Sequence, residues 1–218
     1  SMEQIYKVRQ AKAESIEVQV PGSKSITNRA LLIAALCEGK SVLENVLFSD
    51  DSRHFIGALL ELGFPVEVDE ANARVAVTGY GGRIPRSEAT VDVGSAGTAA
   101  RFLAACLGLS AGRYRLVSSE QMKKRPMREL LDALASLGTV VECEEDCGHF
   151  PFTVGCGTRK RHEVTIDVDK SSQFLSALLI SSVLFDRDFV IHVEGSHGMA
   201  YVDMTIAMME QFGVTVER

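Results

Sequence analysis

Hydrophobic and polar residues follow a pattern that recurs every 75 residues along this chain. Short alternating segments typical of strands contain Val18, Val93 and Val168, and an apolar run of helical length follows each of them. A second helical segment in each block ends at a glycine, in the phrases LLELG, ALASLG and MEQFG. Because a fixed period marks a repeat architecture, the sequence predicts three copies of one unit.

Each unit is predicted to contain a strand, a helix, a second strand, a second helix and a hairpin. The predicted helices span 25–37, 51–62, 98–109, 127–137, 172–184 and 202–212. The predicted strands span 16–20, 41–46, 66–68, 74–77, 90–93, 114–117, 140–144, 152–154, 164–168 and 189–193. The units cover about 16–89, 90–163 and 164–218, and the third stops before its hairpin is complete. We therefore expect the sequence to be part of a longer protein.

The first helix of every unit is apolar on nearly all sides, in the runs ALLIAAL, ARFLAACLGL and FLSALLISSVL. A helix without a polar face is normally buried, so these helices are predicted to lie inside and the more charged second helices outside. Strands that alternate with helices give an α/β protein, but tandem hairpins argue against a doubly wound parallel sheet. The predicted fold is an inside-out, pseudo-threefold repeat of strand-helix-strand-helix-hairpin units.

Composition narrows the possible partners without identifying them. The 218 residues are 46% hydrophobic and 24% charged, and the formal net charge is −6. These values are ordinary for a globular protein, and the negative charge argues against broad binding to nucleic acids or anionic membranes, which needs a basic face. No apolar stretch reaches membrane-spanning length and no signal-peptide pattern opens the chain, so the predicted location is cytoplasmic.

The five cysteines, an odd number, fit a reducing compartment better than a disulfide framework. Cys143, Cys147, His149 and Cys156 form a cluster that raises the hypothesis of a structural zinc ion. Their spacing matches no standard zinc pattern, and the other units have only a hairpin at this place. We therefore expect free thiols and no bound metal.

The starts of the three inner helices carry the densest chemistry, in the segments GSKSITN, GSAGTAA and DKSSQFL. Helix N-termini present free N–H groups and the positive end of the dipole, so they are natural sites for anions. Lys24 adds a point charge at the first start, and Arg29 lies one turn after Ser25 on the same helical face. These groups suit a carboxylate or a phosphate, although the local sequence alone favours an ordinary N-cap with solvated charges.

Units two and three repeat this chemistry. The glycine-rich segment 94–98 offers unobstructed backbone N–H groups, with a tightly packed helix start as the alternative. Lys123, Lys124 and Arg125 are predicted to open the second helix of unit two, where three cations oppose the dipole, and such a local conflict often marks an anion site. In unit three, the hydroxyls and amide of 170–173 suit phosphate oxygens.

In these segments the chain strongly resembles the enolpyruvyl transferases. PGSKSITNRAL, GSAGTAARFL, QMKKRPM and DKSSQFLSALL match the motifs of that family in order and at the expected spacing, and the likeness extends over about 5–218. The branch of the family that acts on UDP-N-acetylglucosamine has an asparagine after the motif lysine. Ser25, followed by Asn28 and Arg29, therefore favours the branch that acts on shikimate 3-phosphate.

The resemblance implies a two-domain enzyme of aromatic amino-acid biosynthesis with its active site in the cleft between the domains. Such an enzyme transfers the enolpyruvyl group of phosphoenolpyruvate to the 5-hydroxyl of shikimate 3-phosphate, with no metal or cofactor. The present chain would be the first half, inactive alone, with 1–15 leading from the second domain. By motif match, Lys24 is the catalytic residue and contacts both substrates. The shikimate 3-phosphate set also includes Ser25, Arg29, Ser171, Ser172, Gln173 and Tyr201, and the phosphoenolpyruvate set also includes Gly97, Arg125 and Gln173.

The chain departs from the family pattern at three places. Ser95 stands where the family usually has asparagine, and Phe102 stands where proline is common. Gly198, Met199 and Ala200 replace the usual Ser-Lys-Pro before Tyr201, which removes a serine that normally adds to the phosphate site. Two alternatives stay open at this point: a nucleotide-sugar enolpyruvyl transferase, or a domain that binds a phosphorylated metabolite without turnover.

Overall fold

The computed structural model describes residues 4–8, 17–20, 22–158, 161–170, 172–185 and 188–218 of the chain. The strands are β1 (Gln4–Val8), β2 (Glu17–Gln19), β3 (Glu38–Glu44), β4 (Val66–Asp69), β5 (Arg74–Tyr80), β6 (Glu88–Asp92), β7 (Arg113–Val117), β8 (Val140–Cys143), β9 (Phe152–Gly155), β10 (Glu163–Asp167), β11 (Phe189–Glu194) and β12 (Val216–Glu217). The helices are α1 (Lys24–Leu36), α2 (Asp50–Glu61), α3 (Gly97–Leu109), α4 (Glu120–Lys123), α5 (Arg128–Ser136), α6 (Ser172–Ser181) and α7 (Met199–Gln211), and a short 3₁₀ turn (Ser182–Leu184) extends α6.

The strands form three four-stranded sheets that share one order. The sheets are β2-β3-β5-β4, β6-β7-β9-β8 and β10-β11-β1-β12. In each sheet the first two strands are parallel, and the remaining neighbours pair antiparallel. A parallel pair joined by a helix and followed by a hairpin is the predicted unit, so the repeat fold is confirmed.

The third sheet contains a strand from the N-terminal segment that the sequence prediction set apart from the repeat domain. β1 pairs antiparallel with β11, with Tyr6 opposite Ile191, and also with β12. It occupies the position that β5 and β9 hold in the other sheets. The prediction missed this strand because its partners lie almost the whole chain away, and a short strand has no periodicity of its own to mark it.

The three first helices form the interior, as predicted. Every residue of α3 is buried, and α1 is buried from Thr27 to Leu36. The second helices bury one face only, and α5 buries Leu130, Leu131, Ala133 and Leu134 in this way. Sheets with one apolar face then cover the helices, as the alternation of buried and more exposed positions in β2, β7 and β10 shows.

The cations at 123–125 do not open a helix, and this prediction is wrong. Ser119 accepts a hydrogen bond from the N–H of Met122 and starts the separate helix α4, which Lys123 ends. Lys123 therefore lies at a helix C-terminus, where a cation is favoured, and it pairs with Glu120 at 3.0 Å. Arg125 lies in the corner between α4 and α5.

The expectation of five free thiols is also wrong. Cys143 and Cys147 form a disulfide, which their Cα separation of 5.2 Å permits because the loop turns back at once after β8. Cys37, Cys106 and Cys156 are free. Among the described residues no group of three or more His, Cys, Asp or Glu side chains is arranged to hold a metal ion, and none of the helices there has the length and apolar character needed to cross a membrane.

The position of β1 predicts a stability effect that depends on which face of the strand is changed. Tyr6 is 1% exposed, whereas its neighbour Ile5 is 48% exposed. We expect Tyr6→Ala to lower the free energy of unfolding by about 3–5 kcal/mol, because a large buried ring is lost. Ile5→Ala on the same strand should cost less than about 1 kcal/mol. Urea unfolding measures both, and equal values for the two variants would place β1 outside the folded domain.

Candidate functional site

An open cavity of about 730 Å³ lies where the starts of α3, α5 and α6 come together. Four of the side chains that line it are cations, and three are carboxylates. Three of the lining residues, Arg125, Ser172 and Gln173, belong to the predicted substrate-binding set. The complete lining consists of Arg101, Arg125, Pro126, Arg128, Glu129, Asp132, Asp169, Lys170, Ser172, Gln173, Phe174 and His197.

Gly97 makes room for two guanidinium groups at the start of α3. A Cβ atom at this position would overlap Nη1 of Arg125 and would lie 3.0 Å from Nη1 of Arg101. The N-cap residue Ala96 offers no side-chain acceptor to the free N–H groups of the helix. Only a glycine allows Arg125 to lie directly over this helix start, and the structure thus brings the predicted pair Gly97 and Arg125 together.

Arg101 is a site residue that the sequence prediction missed. It is 5% exposed, and its Nη1 donates to the carbonyl oxygen of Gly97 at 3.0 Å. Burial, and after it the charge of Arg125, together lower the pKa of its guanidinium to about 10. Its spacing of one helical turn after Gly97 could have revealed it, because residues four apart share a helix face.

The charges of Arg101 and Arg125 are not neutralised by the described residues. None of the ion pairs in that part of the chain involves either side chain, and Arg125 only approaches the sulfur of Met122, at 3.8 Å. Two guanidinium groups this close repel each other, and burial of one of them weakens its hydration. An anion between them would remove both penalties, so this arrangement favours a carboxylate or phosphate ligand.

The start of α6 supplies the neutral hydrogen-bonding groups of the cavity. Nε2 of Gln173 donates to Oγ1 of Thr98 at 3.0 Å, which ties α6 to the start of α3. Ser172 lies against Gly198, where a Cβ atom would be 2.5 Å from the serine Oγ. Ser171, the other serine predicted to hold a phosphate, lies outside the described residues.

Loops beside α6 are fixed by two carboxylates of the cavity. Asp169 accepts hydrogen bonds from the backbone N–H groups of Ser196 and His197 at 3.2 and 3.0 Å, and these bonds lower the pKa of its carboxyl. Glu129 pairs with Nζ of Lys170 at 3.3 Å. Both carboxylates are thus engaged with the protein and leave the two arginines at the start of α3 unpaired.

Arg29 forms the centre of a second group of predicted site residues. It is 2% exposed, and it donates to Oγ1 of Thr205 at 2.6 Å, to the carbonyl oxygen of Ser25 at 3.0 Å and to Oγ of Ser176 at 3.3 Å. Its guanidinium also lies 5.1 Å from the ring centre of Phe102 and 5.7 Å from that of Tyr201. Burial lowers its pKa to about 10, so the group stays charged at neutral pH.

These contacts align the starts of the inner helices. Arg29, Phe102 and Ser176 each lie in the second turn of their helices, so their mutual contact places the N-termini of α1, α3 and α6 at one end of the domain. Among the described residues, neither side-chain polar atom of the fully buried Asn28 has a hydrogen-bond partner. Buried polar groups normally have a hydrogen-bond partner, so the unpaired amide of Asn28 beside the site indicates that a polar partner is missing there.

Lys24 lies at the start of α1, separate from the cavity. Its Nζ is 3.8 Å from Asp51 in the first turn of α2, and its side chain is 55% exposed. Lys24, Ser25, Arg29 and Tyr201 are not among the residues that line the cavity. The described chain therefore holds the predicted residues in two adjacent groups, which α3 connects through Arg101 and Phe102.

The fold is shared with solved enolpyruvyl transferases. A solved EPSP synthase from Acinetobacter baumannii matches 82% of this chain and 40% of its own, with a TM-score of 0.65 and 22% identity. An enolpyruvyl transferase from Streptomyces tendae matches 88% of this chain and 43% of its own, with a TM-score of 0.62 and 12% identity. The fold of this chain is therefore that of this class of protein.

Sequence comparison identifies the family within that class. The family model for EPSP synthase (3-phosphoshikimate 1-carboxyvinyltransferase) matches residues 8–218, and the chain belongs to this family. It is 41% identical to the 3-phosphoshikimate 1-carboxyvinyltransferase of Nostoc punctiforme over 91% of the chain, and 43% identical to that of Opitutus terrae over 92%. These matches cover 47% of either relative, so the chain spans about half the length of the curated relatives it matches.

The contact between Gly198 and Ser172 predicts a loss of anion binding when a methyl group is added. Gly198 has φ +70°, and Gly213 has φ +89° but nothing within 4 Å of an added Cβ. We expect both Gly198→Ala and Gly213→Ala to cost about 1–2 kcal/mol of backbone strain. Only Gly198→Ala should also displace Ser172 and weaken binding of inorganic phosphate, by about tenfold for one lost hydrogen bond to an anion. Urea unfolding and NMR titration with phosphate separate the two effects, and unchanged phosphate affinity in Gly198→Ala would remove Ser172 from the site.

Proposed function

We propose that this chain supplies one half of the active site of an enzyme that joins phosphoenolpyruvate and shikimate 3-phosphate. In the net reaction the 5-hydroxyl of shikimate 3-phosphate loses its proton, its oxygen bonds to C2 of phosphoenolpyruvate, and the bond from C2 to the phosphate oxygen breaks. Inorganic phosphate leaves. Membership of the family supports this reaction, and so does the chemistry of the described site, because both substrates are polyanions.

The observation that carries the proposal is the unneutralised pair Arg101 and Arg125 above the start of α3. A planar guanidinium binds carboxylate and phosphate oxygens through two parallel hydrogen bonds, which fixes orientation as well as charge. We assign this subsite to phosphoenolpyruvate, together with Gly97 and Gln173. Donors held rigidly around a phosphate stabilise the charge that develops on it as it departs.

The group around Arg29 is assigned to shikimate 3-phosphate. In this proposal Ser25, Arg29 and Tyr201 hold the shikimate moiety, and Ser171 and Ser172 hold its phosphate with Gln173. Lys24 lies beside Ser25 at the start of α1, and in this proposal it contacts both substrates when they bind, where its ammonium stabilises the departing phosphate. Asp51 keeps that ammonium near the start of α1 until the substrates bind. We also infer a second domain that closes the open cavity, and a cytoplasmic location.

Replacement of Arg125 tests the assignment. The test uses a longer protein that contains this chain and also the half of the curated relatives' length that this chain does not cover. We expect Arg125→Ala to lower kcat/KM for phosphoenolpyruvate by an amount equivalent to about 2–4 kcal/mol, the scale of one lost charge-assisted donor. Arg125→Lys should also be poor, because a point charge cannot replace a planar fork. Phosphate release with shikimate 3-phosphate as acceptor is the assay, and UDP-N-acetylglucosamine should give no turnover.

The matched control is Arg113→Ala, which removes an exposed arginine that pairs with Glu142 away from the cavity. Near-normal turnover in Arg125→Ala, or an equal loss in Arg113→Ala, would contradict the assignment. Turnover with UDP-N-acetylglucosamine instead would indicate that the protein has the activity of the other branch of the class.

The chain alone should bind shikimate 3-phosphate weakly and release no phosphate. Its cations at the helix starts are present, but an open cavity is wetter than a closed cleft, so each ionic contact is screened. NMR titration of the purified chain measures the binding, and Lys24→Ala should weaken it, whereas Lys40→Ala, which removes a surface partner of Glu67, should not. Measurable turnover by the chain alone would overturn the half-site proposal.

A further inference from the structure

A disulfide closes the loop that joins β8 to β9 on the outside of the second sheet. Cys143 is the last residue of β8, Cys147 follows four positions later, and both residues are exposed. The remaining thiols differ in their surroundings. Cys37 and Cys106 are buried, and burial raises the pKa of each thiol to about 12, so neither forms the reactive thiolate at neutral pH. Chemical agents in solution can therefore reach Cys143 and Cys147, and also the exposed free thiol of Cys156.

The closed loop gathers three carboxylates, Glu144, Glu145 and Asp146, within five residues. Glu144 pairs with Arg115 at 2.8 Å, and Glu145 pairs with Nζ of Lys123 at 3.1 Å. The second of these pairs ties the loop to the end of α4, two residues before Arg125. Opening the disulfide would let the three like charges move apart, and the geometry of the Glu145–Lys123 pair would no longer be fixed.

The backbone of the same loop holds the start of α5. The N–H of Met127 donates to the carbonyl oxygen of Gly148 at 2.7 Å, and Nη2 of Arg128 donates to the carbonyl oxygen of Cys147 at 2.5 Å. Met127 is fully buried, and Pro126 and Arg128 line the cavity described above. The loop that the disulfide closes is therefore hydrogen-bonded directly to Met127 and Arg128, which follow Arg125 closely in the chain.

We propose that Cys143 and Cys147 form a reversible thiol–disulfide site for small disulfides and thiols, and that the closed form holds the α4–α5 corner in the geometry that binds an anion. The second part rests on the proposed function of the cavity, and the first does not. Disulfides in reducing compartments are typically transient or serve as redox sensors, which suits an exposed pair beside a ligand site better than a structural bridge.

The exchange balances with a small disulfide as the oxidant. The thiolate of one cysteine attacks the small disulfide, which forms a mixed disulfide and expels one small thiolate. The second cysteine thiolate then attacks the cysteine sulfur of that mixed disulfide and expels the other. In total the two cysteines lose two protons and two electrons, and the oxidant becomes two small thiols. Cys156 does not take part, because it lies four residues along from the Phe152 that faces Cys143, about 13 Å away on an extended strand.

The first experiment equilibrates the chain in buffers of reduced and oxidised glutathione, alkylates the remaining thiols and counts them by mass spectrometry. We expect two fewer alkylated cysteines, at positions 143 and 147, as the buffer becomes more oxidising, and full recovery on reduction. Cys156→Ser should leave this transition unchanged, and Cys143→Ser should abolish it. Thiols at 143 and 147 that stay reduced across the whole range, or a bridge that glutathione cannot reduce, would overturn the reversible site.

The second experiment titrates inorganic phosphate into the oxidised and reduced chain and follows backbone NMR shifts. We expect the oxidised chain to bind about threefold to tenfold more tightly, the usual size of coupling between neighbouring elements. Cys143→Ser should bind like the reduced chain in both buffers, and Cys156→Ser should keep the difference. Equal affinities in the two states would overturn the coupling. Absence of phosphate binding in both states would instead count against the function of the cavity, and the alkylation result would still decide the redox site.

Discussion

Three buried helices begin at the same end of the domain, and the positive ends of their dipoles meet there beside the guanidinium groups of Arg29, Arg101 and Arg125, none of which pairs with a carboxylate among the described residues. Each dipole corresponds to about half a positive charge at the N-terminus. Arg29 adds a full charge that is 2% exposed and bonded only to hydroxyl and carbonyl oxygens among the described residues. Such an arrangement is unfavourable in the empty protein and favourable with a polyanion present. The rest of the domain can be understood as the framework that maintains it.

The inside-out architecture is the part of that framework that the sequence could predict. A helix such as α3, with every residue buried, can exist only under a covering layer, and each sheet supplies one apolar face for this purpose. The burial of the inner helices and the one apolar face of each sheet both produce a hydrophobic pattern within a short stretch of sequence. The repeat, the helices and most strands can therefore be predicted from that pattern. β1 does not follow, because a strand that pairs with β11 and β12 depends on partners far along the chain rather than on its neighbours.

The site shows the same division between local and non-local information. The positions of Gly97, Arg125, Ser172 and Gln173 around the candidate site could be predicted, since glycines, hydroxyls and cations near helix starts form a local pattern, and their roles stay predictions. For Arg101 the sequence offers only its spacing of one turn after Gly97, whereas its burial and the nearby charge of Arg125 depend on the rest of the fold. Lys123 was misinterpreted for a related reason: the capping bond of Ser119 creates a separate short helix, and four residues carry too little pattern to indicate one.

The three departures from the family pattern are all found at the helix starts, and each has a local contact that accounts for it. Phe102 presents a ring to Arg29 at 5.1 Å, a favourable position for a buried cation. Ser95 shares a hydrogen bond of 2.5 Å with Ser119, the residue that caps α4 and so sets the path of the chain toward Arg125. Gly198 lets the start of α7 approach Ser172 in a left-handed conformation that a side chain would resist. Each of the three residues thus contacts a neighbouring helix or its cap, so these departures change how the helix ends are held together. None of them replaces Arg29, Arg101 or Arg125, whose charges define the candidate anion site.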